Sequence, residues 1–349
     1  MFFVENPRFF AWYCEPYGEG HINRTYLVET DAGVRYILQR LSREAFHNIP
    51  GLMENVTGIT RYLEPRLREG ERCLHLIPTV DGGTYHLDEE GEYWRVYDFL
   101  EGTICLQQAR DREDFYQSAV AFGTFQHHLR DYPSETLYET IPNFHNTPDR
   151  YRQFHETLRK DPLGRVALVQ DEIRFILNRA EDGSVLQKKR DARILPDRVT
   201  HNDTKLNNVM FDEQSGKGVC IIDLDTVMPG LLAYDFGDSI RFGASTARED
   251  ETDLSLVQLD LSLYETYLEG FLSACGELTP EELRSLPLGA KTLTLENALR
   301  FLKDYLDGDV YYKIARPEHN LDRARTQIKL VSEMEAAWGD MTQAAEAYL

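Results

Sequence analysis

One stretch constrains this chain more than any other: Val199-Thr200-His201-Asn202-Asp203-Thr204-Lys205-Leu206-Asn207-Asn208-Val209-Met210-Phe211-Asp212. It contains the pattern H-x-D-x-x-x-x-N as His201, Asp203 and Asn208. Fifteen residues beyond Asn208, an apolar run (Val219-Cys220-Ile221-Ile222) ends in Asp223-Leu224-Asp225. Phosphoryl transfer needs this set of residue types. An aspartate on a tight loop accepts the proton of an attacking hydroxyl. An asparagine five residues on and an aspartate at the end of a neighbouring strand offer hard oxygens to a Mg²⁺ that bridges phosphates. A turn of about six residues, Glu213–Gly218, folds the Asp223 end back towards Asn208. Taken singly, these acids are as well explained as caps and turn formers; taken as a pair at this spacing, the catalytic reading is favoured. The expected roles are Asp203 as base, Asn208 and Asp223 as metal ligands, and His201 as the residue that orients the loop. Asp225, two residues on in the strand period, is a further candidate for the metal or its water.

The rest of the chain frames this motif. With 349 residues, about two domains are expected. Thr25 to Thr30 and Tyr36 to Leu41 read as strands joined at Asp31-Ala32-Gly33, after a strand near Phe10–Cys14. From Gly51 to Glu69 the period becomes helical through Leu52, Val56, Ile59, Leu63 and Leu67, with Gly70 placed as a cap. Strand-like runs follow near Cys73–Val80 and Tyr93–Phe99. Helices are expected near 112–131, 149–159, 167–190, 253–275, 280–308 and 319–348, interrupted by a strand-turn-strand unit between Arg198 and Val227. Thr279, Pro280 and Glu282 form a capping-box start for one of them. The expected class is α+β in two lobes. A small antiparallel sheet with one helix occupies residues 1–96, a hinge 97–102, and a large, mostly helical lobe 103–349.

Composition excludes several classes. The net charge of −21 argues against a nucleic-acid partner, which basic surfaces hold by counterion release. No run approaches the ~18 apolar residues that cross a bilayer. The start, MFFVENPRFF, lacks the basic region and cleavage site of a signal peptide. Five cysteines, an odd number with no CxxC pair, read as thiols of a reducing cytoplasm. A monomer or weak homodimer acting on a small molecule is expected.

The order of catalytic loop and metal-binding aspartate is that of protein kinases. His201-Asn202-Asp203 through Asn208, with Ile222-Asp223-Leu224-Asp225, resembles the aminoglycoside phosphotransferase and choline kinase superfamily of protein-kinase-like folds. Longer strings resemble N-acetylhexosamine 1-kinases. They are Gly20-His21-Ile22-Asn23-Arg24-Thr25-Tyr26-Leu27-Val28, Tyr36-Ile37-Leu38-Gln39-Arg40, Gly51-Leu52-Met53-Glu54-Asn55, Asp235-Phe236-Gly237-Asp238 and Phe301-Leu302-Lys303-Asp304-Tyr305-Leu306-Asp307-Gly308-Asp309. The resemblance covers roughly residues 15–335. It implies ATP- and Mg²⁺-dependent phosphorylation of the anomeric hydroxyl of N-acetylglucosamine or N-acetylgalactosamine.

Under that resemblance the small lobe binds nucleotide. Gly18 and Gly20 let backbone approach phosphate, and Arg40, paired with Glu54, neutralises it. Whether Gln39 or Arg40 faces the cleft depends on strand register; Arg40 is the expectation. Tyr97 and Phe99 belong to a crossover that presents backbone groups to adenine. Asp235 and Asp238 brace the catalytic loop. Arg300 and Tyr311 are the candidates for the sugar, with His21 and Phe242 beside them; a helix-surface arginine and core aromatics remain the plainer alternatives. The competing readings are a kinase of another small alcohol or amine (choline, homoserine, an aminoglycoside) and a silent kinase-like binding module.

Overall fold

The structure, a computed structural model, describes residues 11–18, 20 and 22–349. Strands β1 (Ala11–Pro16), β2 (Arg24–Thr30) and β3 (Arg35–Arg40) form an antiparallel meander. Its β2–β3 turn closes with Gly33 at φ 75°, where a Cβ would be strained. Helix α1 (Ile49–Leu63) follows, with Asn48 accepting from Gly51 N at its start. Strands β4 (His86–Leu87) and β5 (Tyr93–Asp98) complete a five-stranded sheet of order β1-β2-β3-β5-β4. The helix stops short of the sequence expectation because Pro65 follows at once; residues 64–66 tighten into a 3₁₀ turn, and Gly70 serves a separate bend at φ 88°. The segment expected as a strand over Cys73–Val80 makes isolated bridge contacts, Leu76 to Tyr97 among them, and no continuous strand.

Strand β6 (Thr103–Cys105) leads into the second lobe, pairing with β8 (Val209–Asp212), which pairs with β9 (Gly218–Ile221). A second ribbon joins β7 (Arg198–Thr200) to β10 (Met228–Gly230). Helices α2 (Arg112–His128) and α3 (Thr147–Lys160) precede β7, as do α4 (Gln170–Leu177), α5 (Ala180–Gly183) and α6 (Val185–Asp191). The last three replace the single helix expected over 167–190; turns at Asn178–Arg179 and Ser184 break it. After β10 come α7 (Leu232–Gly243), α8 (Leu261–Cys275), α9 (Pro280–Asp307), α10 (His319–Ala336) and α11 (Trp338–Glu346). Helix α8 starts later than expected, since Asp260 caps it by accepting from Leu263 N. The Thr279–Glu282 capping box opens α9.

One apolar core runs from Leu41, Phe46, Leu52 and Val56 of the small lobe through Phe122, Phe211, Phe236 and Phe271 to Met341. The lobes are also joined by polar contacts. Asn55 of α1 donates to the carbonyls of Tyr138 (2.8 Å) and Val227 (3.0 Å) and accepts from Tyr138 N (2.9 Å). Within the large lobe α7 crosses α9 at Gly237 and Gly289. A Cβ on Gly237 would fall well inside contact with the Gly289 carbonyl, and one on Gly289 would strike Ala233 O. Among the described residues no helix is long and apolar enough to cross a membrane.

Candidate active site

The loop between β7 and β8 is held almost entirely by its own neighbours. Asp235, buried on the first turn of α7, accepts from His201 N (2.9 Å), Asn202 N (2.8 Å) and Gln126 Nε2 (2.7 Å). Burial pushes its carboxyl up, opposed by His201 and by these donors. Asp238, one turn on, accepts from Thr204 N at 3.2 Å, and Thr204 Oγ1 donates to Asp235 O at 2.6 Å. Asn202 takes the left-handed conformation (φ 65°) and donates to Thr226 O at 2.8 Å. Beyond that local backbone turn the Asp203 side chain is partly exposed.

The His201 ring lies edge-on to Phe122 and Phe125. Its Nδ1 accepts from Asp203 N (3.3 Å), which leaves Nε2 to donate to Ile222 O (2.9 Å). The ring therefore joins the Asp203 loop to the end of β9. The Asp203 carboxylate receives Lys205 Nζ at 2.9 Å and Asn208 Nδ2 at 3.0 Å. Burial alone would raise its pKa; the Lys205 ammonium overrides that and holds it below the ordinary carboxylate range. Asp203 in turn raises Lys205. The amide of Asn208 is spent on Asp203, at Oδ2 and at the backbone oxygen (2.7 Å), which leaves its Oδ1 as the ligand atom.

Asp223 is left-handed (φ 58°) at the end of β9 and reaches solvent; desolvation by the surrounding walls, together with the Asp225 and Asp203 carboxylates, pushes its carboxyl up to about 7. Such crowding of acids, beside a free amide oxygen on Asn208, suits a divalent cation. Among the described residues no group of three or more His, Cys, Asp and Glu gathers as a metal cluster. A cation here would therefore draw its remaining ligands from phosphate and water. Asp225 is turned away from this role: Arg95 Nη1 (2.5 Å) and Asn23 Nδ2 (2.6 Å) occupy its two oxygens.

The small lobe departs from expectation at its cation. Arg40 lies on the other side of β3 and pairs with Glu92 at 3.6 Å, while Glu54 is exposed and bonded to the Tyr138 hydroxyl. They do not meet, because alternate residues of a strand face opposite sides. Gln39 faces inward, and the inward cation is Arg95 of β5, 1% exposed. Tyr97, two residues along the same face, lies 5.0 Å from that guanidinium, and among the described residues its buried hydroxyl has no hydrogen-bond partner. Phe99 packs against Tyr17 and under Arg35. Gly18 (φ 75°) and Gly20 are exposed, with open space where a Cβ would stand. His21 lies outside the described residues.

Beyond the loop, Arg300 on α9 sits between the rings of Phe144 (5.3 Å) and Tyr312 (5.6 Å). Among the described residues it has no hydrogen bond or ion pair. Arg150 is close enough to repel it, and among the described residues its guanidinium donates only to Phe144 O (2.7 and 3.2 Å). The nearby Glu296 carboxylate is already held by His145 Nδ1 (2.9 Å) and Thr147 Oγ1 (2.7 Å). Tyr311 and Tyr312 both lie near enough to act on the Arg300 charge; the ring beside the guanidinium is that of Tyr312, whose buried hydroxyl is unpartnered among the described residues. Tyr311 is 64% exposed, its backbone N–H fixed by Asp304 at 2.9 Å. Phe242, at the end of α7, packs against the main core.

Sequence reasoning assigned no role to Lys205, Arg95 or Tyr312. Lys205 stood in the quoted motif; an arginine inside the apolar strand Tyr93-Trp94-Arg95-Val96-Tyr97 was the signal for the second. A cavity of about 610 Å³ beside the β8–β9 hairpin is lined by Cys73, Phe125, His128 and Cys220 and by none of Asp203, Asp223 and Asp225. Charge rather than hollow volume locates the site.

Residues 14–270 match the model of the phosphotransferase enzyme family APH. Among solved structures, a microcompartment-associated aminopropanol kinase is 15% identical with a TM-score of 0.63, over 95% of this chain and 93% of that one. An amicoumacin kinase in complex with AMP-PNP and Ca²⁺ is 16% identical with a TM-score of 0.61, over 90% and 87%. A choline kinase from Cryptosporidium parvum is 12% identical with a TM-score of 0.60, over 95% and 91%. At these identities the likeness is one of fold, and it is the kinase-like one. With the catalytic loop and the crowded acids in place, and with the family model spanning most of the sequence, the chain belongs to the APH phosphotransferase family.

Proposed function

We propose that this phosphotransferase is an ATP- and Mg²⁺-dependent kinase of the anomeric hydroxyl of N-acetylhexosamines, N-acetylglucosamine or N-acetylgalactosamine, acting in a reducing cytoplasm. Its nucleotide use is supported by the AMP-PNP complex of the amicoumacin kinase. The acceptor class is carried by one observation. Among the described residues neither Arg300 nor the neighbouring Arg150 forms an ion pair with a carboxylate. The aminopropanol and choline kinases are named for cationic acceptors; an ammonium here would meet two guanidiniums and no unspent acid. A neutral acceptor rich in carbonyl and hydroxyl oxygens meets the five N–H donors of Arg300 and those that Arg150 does not spend on Phe144 O. The extended sequence strings narrow that class to the acetamido sugars.

The residues then divide the work. Asp203, kept ionised by Lys205, takes the proton of the hydroxyl at C1, an unusually acidic alcohol because the ring oxygen withdraws electrons. The C1 oxygen forms its bond to the γ-phosphorus as the bond to the ADP oxygen breaks. Lys205 lies within reach to balance charge on the transferring group. Asp223 and the Oδ1 of Asn208 would hold Mg²⁺, which when bound offsets charge on the phosphates. His201 and Asp235 keep the loop in register, and Arg300 with Tyr312 receives the acetamido group.

A panel of acceptors with ATP and Mg²⁺, with the phosphate located on each product, tests the reading. N-acetylglucosamine or N-acetylgalactosamine is expected to be used at least ~10-fold more efficiently than glucose, since an unmet buried polar group costs ~1–3 kcal/mol. Phosphate on C6, or preference for choline, homoserine or an aminoglycoside, overturns it.

A further inference from the structure

We propose that Arg95 is a positioning residue of the phosphotransfer site, holding the Asp223-Leu224-Asp225 turn to the small-lobe sheet and so setting how firmly Asp223 engages a divalent cation. The proposal rests on the family's chemistry and is independent of the identity of the acceptor. Its geometry is unusually closed for a cation at a lobe boundary. The Arg95 guanidinium donates from Nη1 to Asp225 Oδ1 at 2.5 Å. From Nε and Nη2 it donates to Gln39 Oε1 at 2.9 and 2.8 Å. Gln39 is itself fixed by donating to Thr25 Oγ1 at 3.0 Å. The second oxygen of Asp225 is claimed by Asn23, whose own Oδ1 accepts from Ser42 N at 3.0 Å. Two segments of the small lobe, at Asn23 and Arg95, thus meet on one carboxylate of the large lobe, with Gln39 holding Arg95 from behind.

That carboxylate is two residues from Asp223 in a turn whose first residue is already forced left-handed. A displacement of Asp225 is passed to Asp223 through only two peptide units. Both members of the ion pair are almost wholly buried, with side chains 1% and 3% exposed. A buried pair of this kind contributes little net stability compared with an apolar pair, but it fixes geometry sharply, because either charge left alone is severely penalised. A spacer made only for stability would be better built from leucines. Outer partners of this sort commonly alter metal affinity 10- to 100-fold.

The experiment measures cation dependence directly, without turnover. ADP binding is titrated by calorimetry in the full-length protein at increasing Mn²⁺ or Mg²⁺, alongside the melting temperature without cation. Gln39→Leu is the first variant: it touches neither Asp223 nor Asp225, yet it frees one side of Arg95. The proposal expects its half-saturating cation concentration to rise at least threefold, and that of Arg95→Gln by tenfold or more. The double variant Arg95→Gln/Asp225→Asn leaves no lone buried charge, so it guards against simple misfolding. It is expected to match Asp225→Asn alone, because both changes act through one contact. Folded Gln39→Leu and Arg95→Gln proteins with lowered melting temperatures but half-saturation within twofold of wild type would reduce the pair to lobe packing. Independent, multiplying effects of Arg95→Gln and Asp225→Asn would equally overturn the proposal.

Discussion

Replacing Asp235 with asparagine keeps the outline of the side chain and removes one acceptor. Its Oδ2 now takes His201 N and Gln126 Nε2, and its Oδ1 takes Asn202 N. An amide has a single acceptor oxygen, so it serves one side only. Turned one way, the new NH₂ confronts Asn202 N; turned the other, it confronts two donors. Gln126 could flip its own amide to help, but then gives up its bond to Val199 O at 2.9 Å. At least one hydrogen bond to a charged group is lost and one buried N–H is stranded, a cost of ~2–4 kcal/mol. Burial already opposes the charged form of Asp235, so relief of that burden favours the low end, ~2 kcal/mol. The stranded N–H belongs to the residue just before Asp203. Turnover is therefore expected to fall ~10- to 100-fold with nucleotide affinity within about twofold. Urea unfolding and steady-state kinetics measure both effects. An Asp235→Asn protein within about 0.5 kcal/mol of wild type and turning over at the wild-type rate would refute the bracing argument.

Asp203→Asn retains shape without the proton acceptor and should lower turnover ~10²- to 10⁴-fold with little change in nucleotide binding by calorimetry; more than a tenth of wild-type turnover removes Asp203 from its role. Glu296 titrates with folding. Burial would raise its carboxyl, but His145 reverses this and the folded value lies below the ordinary 4.5. Its contribution is present above pH ~4.5 and disappears as the pH falls through the lower folded value. Thermal melts from pH 7 to 3 should show Glu296→Gln less stable at pH 7 and flatter below pH ~4.5; a slope equal to wild type contradicts this.

The legible parts of the fold were those written in local chemistry. The Asp203–Asn208 spacing, the turn back to Asp223 and the Thr279 cap each depend on residues a few positions apart, and the kinase-like α+β class followed from their order. What sequence pattern misassigned was decided by parity or by distance. Gln39 and Arg40 are neighbours, and only the pairing of β3 with β5 determines which looks inward. Arg95 meets Asp225 across 130 positions, beyond any local period. Tyr311 and Tyr312 lie in a bend held by Asp304, where no periodic rule tells which ring enters the fold. Pro65 overruled a helical period that otherwise continued to Leu67.

The bare crossing of α7 on α9 has an evolutionary consequence. Helix α7 carries Asp235 and Asp238, which set the catalytic loop, whereas α9 carries Arg300, the residue proposed to receive the acceptor. Gly289 and Arg300 are eleven residues apart, about 17 Å along one rod. With no side chains between the rods at Gly237, the two halves of the site share a datum that leaves no room for slippage. New acceptor preferences could then be explored by exchanging side chains on the far turns of α9, with the alignment of the chemistry inherited unchanged. Enlarging either glycine would instead move the datum itself, disturbing loop and acceptor together. A lineage built on this scaffold is free to vary what it phosphorylates and is held to how it does so.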